Sequence, residues 1–363
     1  MNEIGCKPIE GTPSLRSIYF YLTEGCNLAC RHCWIAPKFD ESGIMPAISV
    51  DLFRKVIDEA LPLGLKEVKL TGGEPLMHPR FKELLEIARQ KNLSVIIETN
   101  GLLCTPDVAA EIARLPNRFV SVSIDGSDKA THEWMRGVPG CFEKAKNAIN
   151  NLVEAGVRPQ IITTLIRRNA SQIEEIVGMA EHLGASSVKF NVVMPTGRGE
   201  NLRGAAETLS IGELIRIGEY IDMILPAKTK LKVFFDSPYA FRSLSSIASG
   251  KGCFRCNIFN IIGVIASGQY ALCGIGYHVK DLVFGLAGTD SLERVWKENE
   301  VLNSIRSGIP DRLEGICSKC LMKDACLGSC IAQNFYRTNN IWAPSWFCDM
   351  AYSDGLFPKS RIR

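Results

Sequence analysis

The chain has 363 residues, of which 46% are hydrophobic and 22% are charged, as expected of a soluble globular protein. Its net charge of +3 is too small to indicate binding to nucleic acid or to a membrane surface. Fourteen cysteines are unusual, and the N-terminus lacks the apolar core of a signal peptide. These features predict a cytoplasmic protein in which reduced thiols hold a metal or a cluster.

The apolar pattern predicts strands that alternate with helices. Strands are predicted at residues 17–23, 67–70, 93–97, 119–124, 160–166 and 187–193, with one more at 231–235. Helices are predicted at residues 50–63, 80–90, 106–115, 142–155, 171–183 and 211–225. Six β–α units are typical of parallel strands with crossover helices, but a closed barrel needs eight. The prediction is therefore an α/β fold with a partial barrel or an open sheet. The strands read as apolar runs, so both faces are expected to be covered.

Polar and glycine-rich stretches follow the carboxyl ends of the predicted strands. They are residues 26–34, 72–74, 99–101, 125–126 and 196–199. In parallel α/β folds the carboxyl ends of the strands form the face where ligands bind. The sequence therefore predicts one ligand site that is built from all five stretches.

The first of these stretches contains Cys26, Cys30 and Cys33 at CxxxCxxC spacing, followed by Trp34. Thiolates suit iron–sulfur clusters. Three thiolates on a four-iron cluster leave one iron without a protein ligand. This indicates a cluster that binds a further ligand at the open iron and takes part in a reaction. A zinc site that uses His32 and a disulfide are the alternatives.

The pattern changes after about residue 238, where the β–α alternation gives way to cysteines and glycines. Residues 258–273 predict a hairpin that turns at Ser267 and Gly268. The longest apolar stretch, residues 258–271, is interrupted by polar residues and glycine, so no membrane span is predicted. The cysteines of this part are Cys253, Cys256, Cys273, Cys317, Cys320, Cys326, Cys330 and Cys348.

The CxxxCxxC loop, with Gly72-Gly73-Glu74-Pro75 after the second strand, resembles the radical S-adenosylmethionine (SAM) superfamily. The C-terminal cysteines resemble its SPASM extension, from the G-x4-C of Gly268 and Cys273 to the last cysteine, Cys348. The resemblance implies a partial (β/α)6 TIM-like barrel followed by a small cysteine-rich SPASM domain. The implied divisions are an N-terminal extension (1–16), the barrel (17–236), the SPASM domain (237–352) and a C-terminal tail (353–363).

The resemblance also implies the cofactors. Cys26, Cys30 and Cys33 would hold a [4Fe–4S] cluster whose open iron binds SAM, and reductive cleavage of SAM would yield a 5′-deoxyadenosyl radical. An electron donor such as flavodoxin or ferredoxin is expected. Glu74 would accept hydrogen bonds from the SAM amine, although it could instead only cap a helix. The residues expected to contact SAM are Trp34, Gly72, Gly73, Glu74, Asn100, Ser123, Arg136 and Met194. His32, by comparison with relatives, is expected to face solvent.

Two auxiliary [4Fe–4S] clusters are implied in the second part of the chain. The outer one would be held by Cys317, Cys320, Cys326 and Cys348. The inner one would be held by Cys273 and Cys330, together with Cys253 and Cys256, of which one could be a bystander. A structural zinc site is the alternative for these cysteines, since CxxC pairs also suit zinc.

The implied function is modification of a ribosomally synthesised precursor peptide by crosslinking, or by excision of a fragment such as tyramine. Only about 16 residues precede the first predicted strand, so a separate small protein is expected to bind any leader peptide. The alternatives are action on a sulfatase or a tetrapyrrole, and a non-enzymatic iron–sulfur or zinc protein. No general base stands out. Cys104 and Cys141 are candidate hydrogen donors, although they and Cys6 are expected to be ordinary apolar residues.

Overall fold

The computed structural model describes residues 11–37, 45–248 and 256–363. The strands are β1 Ser17–Tyr21, β2 Glu67–Thr71, β3 Ser94–Thr99, β4 Arg118–Ser123, β5 Gln160–Leu165, β6 Ser187–Val192, β7 Lys232–Phe235, β8 Ile261–Val264, β9 Gln269–Ala271 and β10 Val283–Leu286. The helices of the first part are α1 Val50–Ala60, α2 Phe81–Gln90, α3 Pro106–Ala113, α4 Lys129–Arg136, α5 Cys141–Glu154, α6 Ile173–His182, α7 Gly199–Gly204, α8 Ile211–Glu219 and α9 Leu244–Ala248. Those of the second part are α10 Leu292–Glu298, α11 Glu300–Gly308, α12 Gly315–Ser318, α13 Lys323–Cys326, α14 Ile331–Thr338 and α15 Trp346–Ser353.

The predicted β–α alternation is confirmed, and local sequence accounts for it. In α1, Ser49 caps the helix by accepting a hydrogen bond from the Leu52 N–H. Phe53, Val56 and Ile57 recur at helical spacing and are fully buried against the sheet. Gly64, with φ of +104°, then turns the chain towards β2.

The strands form one sheet in the order β10-β9-β8-β1-β2-β3-β4-β5-β6-β7. Strands β1 to β7 are parallel to their neighbours, so their carboxyl ends meet at one edge. The sheet curves like a barrel but does not close, which confirms the predicted partial barrel. The carboxyl ends of the strands, where the sequence predicts the ligand site, therefore lie side by side in the structure.

The expectation that the strands are apolar runs covered on both faces is wrong for β2 and β3, although β1 and β5 are buried at nearly every position. Residues of β2 and β3 alternate between fully buried and half-buried, in the patterns iBiBi and iBiBiB. The buried residues pack against the helices in one core, for example Val68, Leu70, Val95 and Ile97. The other face is the concave inner face of the partial barrel, which we call the lumen. It carries Tyr19, Lys69, Thr71, Glu98, Ser123, Lys189 and Asn191 at the alternate positions. The lumen is polar because an open barrel can admit water and ligand there, whereas only the helix side must exclude water.

The C-terminal part of the chain contributes to the same sheet. The predicted hairpin is confirmed as β8 and β9, which are antiparallel and joined by a turn where Gly268 has φ of +84°. Strand β8 then pairs in parallel with β1, from Ser17 beside Ile261 to Phe20 beside Val264. The sheet therefore runs across the predicted boundary at residues 236 and 237, and the domain division itself stays a prediction.

Helix α4 was missed by the sequence analysis, although it carries Arg136. Its signals are present in the chain. Asp128 caps the helix by accepting from the Thr131 N–H, and Gly137 ends it with φ of +74°. Its short length and its charged composition hide the apolar spacing that marks the longer helices.

Among the described residues, no helix is long and apolar enough to cross a membrane. Cys6 and Cys253 lie outside the described residues, so the structure does not locate them.

A chain that ends after Asp236 should not fold into a soluble barrel. Removal of β8 would make β1 an edge strand whose backbone N–H and C=O groups are unpaired. Exposed edges of this kind promote aggregation. We expect the truncated chain to be insoluble or to elute as aggregate in size-exclusion chromatography. The control is the full chain with Cys317, Cys320, Cys326 and Cys348 replaced by serine, which keeps the hairpin. A monomeric, folded truncated chain would contradict the prediction.

Candidate active site

The cysteine loop follows β1 at the carboxyl edge of the sheet. Cys26 and Cys30 are buried and Cys33 is half-buried, and the three thiols pack with Leu28. Burial raises the pKa of Cys26 to about 12, and its thiol neighbours contribute further. Because an uncompensated thiolate is costly in this setting, the set suits a soft cationic group such as iron.

The glycine loop is held directly against the backbone before Cys26. The Gly73 N–H donates to the Thr23 carbonyl at 2.7 Å, and the Glu74 N–H donates to the Gly25 carbonyl at 2.8 Å. A Cβ atom on Gly73 would lie 2.1 Å from the Gly25 oxygen, and one on Gly72 would lie 2.7 Å from the Thr23 oxygen. Only glycine permits this approach, because no side chain fits between the two segments.

Glu74 joins the glycine loop to the end of β3. Its Oε1 accepts from the Thr99 hydroxyl at 2.6 Å and from the Leu76 N–H at 3.1 Å, so it does cap the short turn after it. Its Oε2 accepts from the Asn100 N–H at 2.8 Å. The carboxyl group is 1% exposed, and burial raises its pKa to about 7 against these hydrogen bonds. Glu74 thus positions the loop, while its predicted contact with SAM stays a prediction.

Asn100 connects Glu74 to the cysteine loop. Its Nδ2 donates to the Asn27 Oδ1 at 2.8 Å and lies 3.9 Å from the Cys26 Sγ. Ser123 lies half-buried on the lumen side at the end of β4. The structure therefore brings both predicted residues to the edge that carries the cysteine loop.

A buried ion pair lies behind Cys30. The Arg136 Nε is 2.7 Å from Asp125 Oδ2, and its Nη1 donates to the Cys30 Sγ at 3.7 Å. Burial alone would raise the pKa of Asp125, but Arg136, His32, His132 and the Thr164 N–H together hold it below its usual value. Arg136 can therefore stabilise the Cys30 thiolate, and its predicted contact with SAM is not tested by this geometry.

The expectation that His32 faces solvent is wrong. Its side chain is 14% exposed, and its Nε2 lies 3.7 Å from Asp125 Oδ2. Burial lowers the pKa of His32 to about 4, so the ring is neutral near pH 7. The position between Cys30 and Cys33 turns the ring inward because Asp125 lies beneath the loop.

The loop after β6 covers the other side of the cysteine loop. The Arg198 N–H donates to the Cys33 carbonyl at 2.9 Å, and its Nε donates to the Cys30 carbonyl at 2.8 Å. Gly197 lets this loop pass, since a Cβ there would lie 2.5 Å from the Trp34 oxygen. Met194 is half-buried at the start of the same loop.

Trp34 connects the cysteine loop to the C-terminal part of the chain. Its ring packs edge-on against Tyr21 at 6.2 Å and covers Gly274, where a Cβ would lie 2.2 Å from the indole. The Trp34 carbonyl lies 2.7 Å from the His278 Nε2. Its predicted place near the SAM adenine stays a prediction.

The four cysteines predicted for the outer cluster line one cavity, with Ile316 and Phe357 beside them. Cys317, Cys320, Cys326 and Cys348 are all less than 9% exposed. Backbone N–H groups face them, since Ser345 donates to the Cys317 Sγ and Met322 to the Cys320 Sγ, both at 3.3 Å. By chemical type this donor set suits an iron–sulfur cluster, and thiolates are also zinc ligands.

Cys330 lies apart from that cavity, with the inner set. Leu327, Gly328 and Ser329 all have positive φ, so the chain turns sharply between Cys326 and Cys330. Cys256, Cys273 and Cys330 are all partly buried against the main core. Burial raises the pKa of Cys256, and the charges of Cys330 and Cys273 raise it further.

Among the described residues, no group of three or more histidine, cysteine, aspartate or glutamate side chains converges closely enough to hold a single metal ion. In a four-iron cluster each thiolate binds its own iron, so the thiolates of such a site need not converge on one point.

Comparisons with known proteins agree with this geometry. The radical SAM superfamily model matches residues 20–180. An AdoMet-dependent heme synthase of Methanosarcina barkeri is 30% identical over 350 residues, which cover 93% of this chain and 97% of the relative. The chain belongs to the radical SAM superfamily.

Two further similarities concern maturases. The mycofactocin maturase MftC of Mycobacterium tuberculosis is 26% identical over 342 residues, covering 94% of this chain and 84% of the relative. The structure of Streptococcus suis SuiB bound to S-adenosylmethionine superposes with a TM-score of 0.73 at 17% identity, over 93% of this chain and 77% of that one. Membership of the superfamily supports an enzyme that uses SAM and a [4Fe–4S] cluster, and the likeness to SuiB confirms the fold.

The lumen of this radical SAM enzyme holds an ion pair that the sequence analysis missed. The Lys69 Nζ lies 2.5 Å from Glu98 Oε1, and the two side chains are 20% and 35% exposed. The Thr71 hydroxyl donates to Glu98 at 3.4 Å, and the Lys69 ammonium lies 4.7 Å from the centre of the Tyr19 ring. The sequence signal for this pair is the period-2 alternation of polar and apolar residues in β2 and β3.

Cys104 and Cys141 are buried, as expected of ordinary apolar residues. Cys141 packs against Cys26, Leu28 and Cys30 beneath the cysteine loop, and Cys104 lies in the core between sheet and helices. Neither position opens onto the lumen pair.

Gly73→Ala should displace the cysteine loop, because its methyl group would overlap the Gly25 carbonyl. We expect a loss of about 1–3 kcal/mol in the free energy of unfolding, typical of overpacking, and less iron bound at the first site. Calorimetry and iron analysis measure both. Gly178→Ala in α6 is the matched control, since nothing lies within 4 Å of its added Cβ and alanine favours helix by about 1 kcal/mol. Equal effects of the two variants would contradict the prediction.

Glu74 should make stability fall as pH rises in enzyme without SAM. Its pKa is about 7 in the fold against a usual value of 4.5, so the fold favours the protonated form. This stabilisation is fully present below about pH 4.5 and is lost as pH rises through 7. It amounts to roughly 3 kcal/mol. Relative to Glu74→Gln, the wild-type midpoint of thermal unfolding should decline between pH 5 and pH 8. A difference between the two proteins that does not vary with pH would contradict this.

Proposed function

We propose that this enzyme modifies a residue of a ribosomally synthesised precursor peptide held in the lumen. The observation that carries the proposal is the Lys69–Glu98 pair. SAM, when bound, would supply the 5′-deoxyadenosyl radical that abstracts hydrogen from the peptide. The residues of the chain hold, orient and shield the two reactants.

The pair lies directly below the loops expected to hold SAM. Glu98 precedes Thr99, whose hydroxyl donates to Glu74, and Thr71 precedes Gly72. The side chains of Lys69 and Glu98 share the lumen side of their strands. A substrate that contacts this pair would therefore lie against the SAM site.

The charge of the pair favours an uncharged polar substrate group. An ion pair inside a fold is expensive to desolvate and adds little stability, so its retention on a half-buried inner face indicates a use. Glu98 accepts hydrogen bonds and Lys69 donates them, and their charges cancel. A peptide amide, with one donor and one acceptor, matches such a pair, whereas a pair with no net charge gives a substrate carboxylate no net attraction.

The proposed cofactor content is three [4Fe–4S] clusters. The shared cavity of the four outer cysteines and the grouping of Cys256, Cys273 and Cys330 support two auxiliary sites in addition to the first. A separate leader-binding protein and an outside electron donor complete the proposed system.

A second candidate is action on a haem-type tetrapyrrole, which the 30% identity to an AdoMet-dependent heme synthase favours. Residues at the mouth of the barrel also favour this second candidate. Arg31 and Arg168 lie over the Trp134 ring at 4.7 and 4.3 Å. Arginine forks bind carboxylates, and an aromatic ring can stack on a flat macrocycle.

The test is anaerobic incubation of the cluster-loaded enzyme with SAM and reductant, followed by mass spectrometry. One arm contains a candidate precursor peptide, with and without its small leader-binding protein, and the other contains a haem-type tetrapyrrole. The proposal predicts a mass change in the peptide and 5′-deoxyadenosine in equal amount. Turnover of the tetrapyrrole alone would establish the second candidate instead.

Glu98→Gln should lower peptide product at least about tenfold, equivalent to about 1.4 kcal/mol, because an amide cannot replace the charge that orients Lys69. Cleavage of SAM without peptide should continue. Glu67→Gln is the matched control, since Glu67 shares the lumen face at the amino end of β2. Full activity of the Glu98→Gln variant would contradict the proposed role of the Lys69–Glu98 pair in holding the peptide.

A further inference from the structure

Tyr336 carries a buried hydroxyl that has no hydrogen-bond partner. Buried hydroxyl groups are normally paired, and leaving one unpaired costs about 1–3 kcal/mol. Since no acceptor among the described residues is in reach, the hydroxyl is free to bond a group that lies outside them, such as a bound cluster.

Three observations place this hydroxyl at the inner cysteine set. Tyr336 lies on α14, which begins directly after Cys330. Its ring contacts the ring of His278 at 5.9 Å, and His278 follows Cys273 by five residues. Burial raises the pKa of Tyr336 above its usual range, and the charges of Cys273 and Cys330 raise it further. The hydroxyl therefore lies within the electrostatic reach of both thiols, where its O–H can donate to a sulfur atom.

We propose that the Tyr336 hydroxyl donates a hydrogen bond to a sulfur atom of the inner auxiliary cluster and so raises the reduction potential of that cluster. The inference rests on the proposed three-cluster content. Reduction adds negative charge to the cluster, and a hydrogen bond to sulfur stabilises the more negative state. Tyr336 acts here as a tuning residue and touches no reacting atom.

His278 connects the region of Tyr336 to the first cluster site. The ring of His278 lies between Tyr336 and the cysteine loop, where its Nε2 is 2.7 Å from the Trp34 carbonyl. A raised potential would make the inner cluster the preferred electron acceptor over the outer one.

The experiment compares wild type with Tyr336→Phe, which removes only the oxygen atom. Cluster-loaded proteins are titrated with a reductant and followed by electron paramagnetic resonance. We expect one auxiliary cluster of Tyr336→Phe to have a lower midpoint potential, with the other clusters and the iron content unchanged.

Tyr270→Phe is the matched control. The Tyr270 hydroxyl is also buried and unpaired, but the charges that act on it are those of Glu59 and Asp290 rather than of a cysteine. This variant should leave every midpoint potential unchanged.

The outcomes separate the inference from the proposal beneath it. About twelve irons per chain with an unchanged potential in Tyr336→Phe would overturn the inference alone. An equal shift in both tyrosine variants would also overturn it, since the effect would then be general. About eight irons, or zinc, in the wild type would overturn the three-cluster proposal and the inference together.

Discussion

The site depends on one backbone contact, in which the glycine loop after β2 lies against the segment that leads into the first cysteine. Two N–H groups donate across this contact, and the carbonyl of Gly25 occupies the space where a side chain on Gly73 would be. The contact sets the distance between the two strand ends. Glu74 extends it to β3 through Thr99 and Asn100, so the ends of three strands are tied together by hydrogen bonds.

The opposite side of the cysteine loop is held by different forces. The buried pair of Asp125 and Arg136 lies beneath Cys30, and Arg198 donates to the Cys30 carbonyl from the loop after β6. Arg136 supplies positive charge next to a thiol whose burial disfavours the thiolate. Backbone hydrogen bonds therefore position the loop on one side, and Arg136 supplies positive charge on the other. Both suit a cluster that must bind SAM and change its charge.

The C-terminal part is an extension of the barrel sheet as well as a carrier of cysteines. Because β8 pairs with β1, Cys273 follows a strand that is two neighbours away from the cysteine loop, at the end of β9. Trp34 and Gly274 close the remaining gap. His278 lies in the same region, between the Tyr336 ring and the Trp34 carbonyl.

The sequence by itself determined the alternation of strands and helices, the ligand edge and the grouping of cysteines, because these depend on local periodicity, turn residues and ligand spacing. It could not determine that His32 turns inward, since that depends on Asp125, which lies 93 positions later in the chain. It also missed α4, the polar lumen and the Lys69–Glu98 pair. Those features follow from the curvature of the sheet, which brings alternate residues of separate strands to one concave face. Only the tertiary structure decides which side of a strand meets the helices and which side is left for a substrate.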